Sequence, residues 1–162
     1  MSAAGRPTIL DGTILEMLAE ARIGRLATIT PRGLPHVGAF WYATDGERIV
    51  ISTLANQTVR NLEASDECAL LVDLGQTFEG LRGAHIRCRA TLYRRADALP
   101  APVTNLRDRI EEYHRDEIDS PAFARYLEWE QRDGVTIELT PRSATWFDLG
   151  RQRSGRTPAT PG

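Results

Sequence analysis

The sequence predicts a mainly β protein, folded as a closed or nearly closed antiparallel barrel with peripheral α-helices. Three observations carry that expectation. Seven short strand-like apolar runs follow one another, turn residues separate most of those runs, and few helical stretches lie between them. A parallel, doubly wound sheet would need a helix after nearly every strand. With 162 residues the chain suits one domain, which buries roughly two-thirds of its unfolded surface without disulfide or metal staples.

A helix over Asp11 to Arg22 rests on apolar residues at Ile14, Leu15, Leu18 and Ala21, with Asp11 or Thr13 as its cap. The period then changes to two. Ile23 to Thr30 reads as the first strand, Pro31-Arg32-Gly33 as a tight turn and Leu34 to Ala43 as the second strand. Asp45-Gly46 marks a hairpin into the third strand, Arg48 to Thr53, so these three strands form a meander. Ala55 to Ser65 reads as a short helix capped by Asn56, with Val59 and Leu62 facing inward. Cys68 to Asp73 is the fourth strand and Gly75 to Gly83 a loop. The fifth strand, Ala84 to Arg94, alternates cleanly, with Ala84, Ile86, Cys88, Ala90 and Leu92 on one face.

Two prolines in Ala96 to Val103 end that run, and Leu106, Ile110 and Tyr113 then mark a helix within Asn105 to Ile118. Ser120 and Pro121 open another helix, which carries Phe123, Tyr126, Leu127 and Glu130 on one side and ends at Gly134. Val135, Ile137 and Leu139 make a sixth strand that Pro141 breaks, and Ala144 to Leu149 make a seventh. From Arg151 onward the composition is that of a disordered tail. The layout is therefore an N-terminal arm at 1–10, one domain at 11–150 and a tail at 151–162.

Composition removes several functions. The 20 basic and 22 acidic residues give a net charge of -2, so neither nucleic acid nor an anionic membrane is an expected partner. Every basic residue is arginine, which excludes a lysine Schiff base, a P-loop lysine and a lysine general base. GC-rich codon usage produces the same arginine excess. Met1 to Thr8 hold no apolar run, and no stretch has the length of a membrane span, so a cytoplasmic protein is expected. Cys68 and Cys88 lie in strand runs and read as reduced, buried thiols. His36, His85 and His114 lack ligand spacing, so no metal site is expected. The nucleotide fingerprints GxGxxG and GxxxxGK[ST] and the hydrolase elbow GxSxG are all missing, and no catalytic side chain stands out.

Two features point to a ligand. In the second strand Val37, Ala39 and Trp41 take one face while His36, Gly38, Phe40 and Tyr42 take the other, so both faces are partly apolar. A partner subunit, one of the chain's own helices or a flat ligand must cover the second face. Ser52 and Thr53 end a strand just before Asn56, Thr58, Arg60 and Asn61 begin a helix. Hydroxyls, first-turn amides and a guanidinium together suit an anion, although Arg60 paired with Glu63 or Glu67 on a solvated helix explains the same residues.

The order of elements and the local wording resemble the pyridoxamine 5'-phosphate oxidase-like flavin-binding split β-barrel family over about residues 11–150. Three pieces carry the resemblance. They are Gly24-Arg25-Leu26-Ala27-Thr28 with Gly33-Leu34-Pro35-His36-Val37 and Phe40-Trp41-Tyr42; Ile51-Ser52-Thr53 with Val59-Arg60-Asn61-Leu62; and Ile137-Glu138-Leu139-Thr140-Pro141 with Trp146. Within the family the chain looks like the branch that uses FMN or the deazaflavin coenzyme F-420. The resemblance implies a homodimer with cofactors in clefts at the subunit interface. It places Val37, Gly38, Ala39, Phe40 and Trp41 along the ring system, and Ser52, Thr53, Asn56, Thr58, Arg60 and Asn61 around the phosphate. Family members commonly carry a lysine at the position of Thr58 and an arginine near Asn56, so two phosphate-directed cations are replaced here. Arg60, or Arg87 and Arg89 of the fifth strand, would have to compensate. His36 and Tyr42 could donate a proton, or simply pack at an interface.

The implied activity is flavin- or deazaflavin-dependent reduction of a small conjugated organic substrate, the cofactor carrying the hydride. Two alternatives stand beside it. One is a non-catalytic binding protein for a flavin, haem or other tetrapyrrole, and the other a dimeric scaffold with an empty cleft.

Overall fold

In the computed structural model, which describes residues 9–117 and 119–157, helix α1 (Gly12–Ala21) starts where Asp11 accepts a hydrogen bond from the Ile14 amide at 3.0 Å. Arg22 ends it in the left-handed region, with its guanidinium 4.8 Å from the centre of the Tyr113 ring. The meander follows as β1 (Ile23–Ile29), β2 (Pro35–Thr44) and β3 (Ile49–Leu54), all antiparallel, with Ala27 opposite Val37 and Tyr42 opposite Ile51. Gly46, at φ +91, supplies the positive angle that the β2–β3 turn requires.

Helix α2 (Gln57–Ala64) is capped by Asn56, and β4 (Glu67–Leu74) and β5 (Arg82–Arg94) then pair along their length. Helices α3 (Ala101–Tyr113) and α4 (Pro121–Asp133) flank a short 3-10 turn, and the chain closes with β6 (Gly134–Asp148) and β7 (Arg153–Thr157). The strand order is β3-β2-β1-β4-β5-β6, and pairing of β3 with β6 seals these six strands into the expected closed antiparallel barrel.

Three sequence expectations change. Helix α3 starts at Ala101, not Asn105, because Pro102 sits in its first turn, where a missing amide costs nothing. The separate sixth and seventh strands are one strand, β6. Its register against β5 shifts between Arg87 and Cys88, and this bulge accommodates Pro141 without ending the ladder. The tail expected to be disordered contributes β7 at Arg153–Thr157. Since β3 covers only Gly134 to Leu139, the second half of β6 has a free edge, and β7 pairs there with Ala144 to Asp148. Gly155 lies against the Trp146 indole, where an added Cβ would be 2.3 Å from Nε1, so only glycine permits that approach. Residues 1–8 of the predicted arm and 158–162 of the predicted tail lie outside the described residues.

The barrel interior is filled by Leu26, Ile51, Leu70, Ile86, Ile137 and Leu139, all fully buried. Its ends are closed by helices. Near the β2–β3 turn, α1 inserts Ile14 and Leu18, and the Tyr42 hydroxyl donates to the Leu18 carbonyl at 2.6 Å. At the other end α2 inserts Val59 and Leu62. A second core lies outside the barrel wall, where Val103, Leu106 and Ile110 of α3 cover Ala43 and Val50. No described helix is long and apolar enough to cross a membrane.

Candidate functional site

The handover from β3 to α2 is tightly bonded. Asn56 Oδ1 accepts from the Val59 amide at 3.1 Å, while its Nδ2 donates to the Thr53 hydroxyl at 3.0 Å. Asn61, fully buried, donates to Thr28 Oγ1 at 2.9 Å and accepts from Gln57 Nε2 at 2.7 Å. Thr58 is 1% exposed and faces Gly38 of β2. Thr58 and Asn61 therefore point into the barrel end. Arg60 points outward, bonds Gln57 Oε1 at 3.0 Å and forms no salt bridge among the described residues. Both carboxylates that could have held it are engaged elsewhere, Glu63 with Arg94 and Glu67 with Arg89.

Strand β2 divides its candidate residues between two environments. Gly38, Phe40 and Tyr42, with His36, face the barrel interior side. On the outer face Trp41 and Ala43 are covered by the chain's own helices, whereas Val37 is 60% exposed and Ala39 is exposed. Register places Val37 beside Ala27 and then Ala69, and Ala39 beside Arg25 and then Leu71. Ile23, Ile29 and Leu34 extend this bare, largely apolar surface. One ion pair, Arg25 with Asp73, crosses it.

Ser52 does not join Arg60. Its hydroxyl donates at 2.6 Å to Oε1 of Glu130, which is only 5% exposed on the inner face of α4. Beside this pair His114 stacks on Trp41 with ring centres 3.5 Å apart, and Phe123 meets Trp41 edge-on at 5.8 Å. Burial and the nearby Glu130 charge raise the Tyr126 pKa, the Thr53 hydroxyl opposing them. Burial, followed by the Glu130 charge, likewise raises the Glu111 carboxyl. The helical face Phe123, Tyr126, Leu127 and Glu130 was visible in the spacing, but its target on β3 was not.

Of the compensating arginines, Arg89 is bonded to Glu67 at 3.1 Å, and Arg87 is exposed on β5. Burial pushes the Cys68 thiol up to about 12 and raises Cys88 as well, so both stay protonated and unreactive near neutral pH. They face each other across β4 and β5 as free thiols.

No curated protein matches the chain. Among solved structures, a conserved hypothetical protein from Mycobacterium tuberculosis is 26% identical, with 93% of this chain and 92% of that one aligned at a TM-score of 0.68. The haem storage protein HutZ from Vibrio cholerae aligns over 89% of this chain and 99% of its own at 16% identity and a TM-score of 0.65. A protein described as an F-420 reductase aligns over 80% and 93% at 23% identity and a TM-score of 0.58. The model of the pyridoxamine 5'-phosphate oxidase family matches residues 10–142, and with the six-stranded closed barrel this places the chain in that family.

Proposed function

We propose that the protein is a dimeric oxidoreductase that holds FMN or the deazaflavin coenzyme F-420 and reduces a small conjugated organic compound. The observation that carries this is the bare apolar surface around Val37 and Ala39, at the barrel end where α2 presents Arg60 without a carboxylate partner among the described residues. Exposed patches of this kind mark association or ligand surfaces. Family membership and the fold shared with an F-420 reductase support the reading.

The residues present fit such a cofactor in part. Arg60, bonded to the neutral Gln57 side chain, and the first-turn amides of α2 that Asn56 does not cap would hold a phosphate, and Val37 and Ala39 offer apolar cover for a flat ring. Thr58 and Asn61 do not fit, because their side chains are committed to the barrel interior. A bound flavin or deazaflavin would supply the hydride chemistry. The chain's own contribution is charge neutralisation by Arg60, exclusion of water by the sheet face and a first turn fixed by Asn56.

A second reading, non-catalytic haem binding, is favoured by one observation. His85 is exposed on β5 directly opposite Leu71, within the same sheet surface. One titration series separates the two. Arg60→Ala should weaken FMN or F-420 binding by about 1–3 kcal/mol, the value of one charge-assisted contact. Haem binding would instead show a Soret band that shifts in His85→Ala. A monomer in sedimentation analysis that binds neither flavin would overturn the oxidoreductase reading.

A further inference from the structure

We propose that an open hollow between α4 and the ends of β3 and β5 is a binding site for a planar aromatic compound carrying an anionic group. The hollow has a volume of about 640 Å³, within the usual range of small-molecule sites. Its floor is Leu54, Ala55 and Gly134, where β3 meets the start of β6. Gly134 lets α4 descend onto that floor, since a Cβ there would sit 2.3 Å from the Glu130 carbonyl oxygen.

Three arginines rim the hollow, Arg94 and Arg95 from the end of β5 and Arg132 from α4. Asp133 is the one carboxylate in the lining, so positive charge is in excess there. Arg94 pairs with Glu63 and Arg132 with the adjacent Asp133, but Arg95 forms no hydrogen bond or salt bridge among the described residues; its field reaches Glu111. The backbone beneath Arg94 and Arg95 is fixed in advance. The Arg94 amide donates to Asp97 Oδ2 at 2.6 Å, and the Asp97 amide returns a bond to the Arg94 carbonyl at 2.9 Å.

The fourth wall is aromatic. Trp129, one turn before Arg132, is 49% exposed and makes no ring contact among the described residues. A half-exposed indole beside guanidiniums provides a stacking face next to anion donors, a combination that suits an aryl carboxylate or aryl phosphate. Through Leu54 and Ala55 the hollow adjoins the β3–α2 handover, but its arginines and Trp129 stand apart from the proposed ring surface. The hollow is bounded by β5 and α4, whereas Val37 and Ala39 lie on β2, so this site does not rest on the oxidoreductase reading.

The test is calorimetric titration of the full chain with 4-nitrophenyl phosphate and, separately, with inorganic phosphate. The aryl phosphate should bind saturably and roughly tenfold more tightly than inorganic phosphate, reflecting the added stacking. Arg95→Gln and Trp129→Leu should each weaken it by about fivefold, with unchanged thermal melting. Both positions are exposed, so the variants retain the fold. No saturable binding, equal affinity for the two phosphates, or variants that bind like the wild type would overturn the proposal. A matching loss of FMN affinity in both variants would also overturn it, by making the hollow part of the cofactor surface. If the wild type does not bind FMN, the aryl phosphate measurement still decides the question.

Discussion

The outer face of β2 is apolar from Val37 to Ala43, yet its two halves have different surroundings. Ala43 is buried beneath Val103, Leu106 and Ile110 of α3, and Trp41 is stacked against His114. None of the described residues covers Val37 and Ala39. The contrast shows that an apolar strand face is not evidence of a ligand by itself. One half is ordinary core, and only the half that the helices leave bare calls for a second molecule.

The largest expected effect tests whether the covered half is core. Leu106→Ala should cost about 2–5 kcal/mol in urea unfolding, because a fully packed leucine leaves a cavity. Val37→Ala should stay within about 0.5 kcal/mol in dilute solution, as an exposed position does. Similar costs at the two sites would erase the comparison.

A smaller effect tests how the helical cover is anchored. Ser52→Ala removes the hydroxyl that donates to buried Glu130, and should cost about 1–3 kcal/mol, with faster amide exchange in α4. Unaltered exchange would show that packing alone holds the helix. The smallest effect concerns pH. The Glu111 pKa is raised above 4.5 in the folded state, so the folded chain holds its proton more tightly and stability falls as pH rises from 4.5 through the raised value. Glu111→Gln should remove that decline from a pH series of unfolding midpoints, and a decline of the same size in the variant would clear Glu111.

Elements with strong local signals were legible in the sequence. Asp11 and Asn56 cap their helices as their residue types require, and the alternation from Ala84 to Leu92 gives a strand. Pro141 misled because a bulge can absorb a proline, and the tail misled because its pairing depends on the edge that β6 offers. Within the candidate site the capping role of Asn56 was readable. The inward aim of Thr58 and the diversion of Ser52 to Glu130, 78 residues away, were not.

The sequence alone determined the first five strands, the antiparallel meander of the first three and the absence of lysine chemistry, because periodicity, turn residues and composition are local properties of the chain. Only the tertiary structure decided which apolar face is covered, which carboxylate meets which donor and where three arginines and Trp129 converge. Those contacts join residues far apart in sequence, and barrel closure together with helix packing sets their geometry.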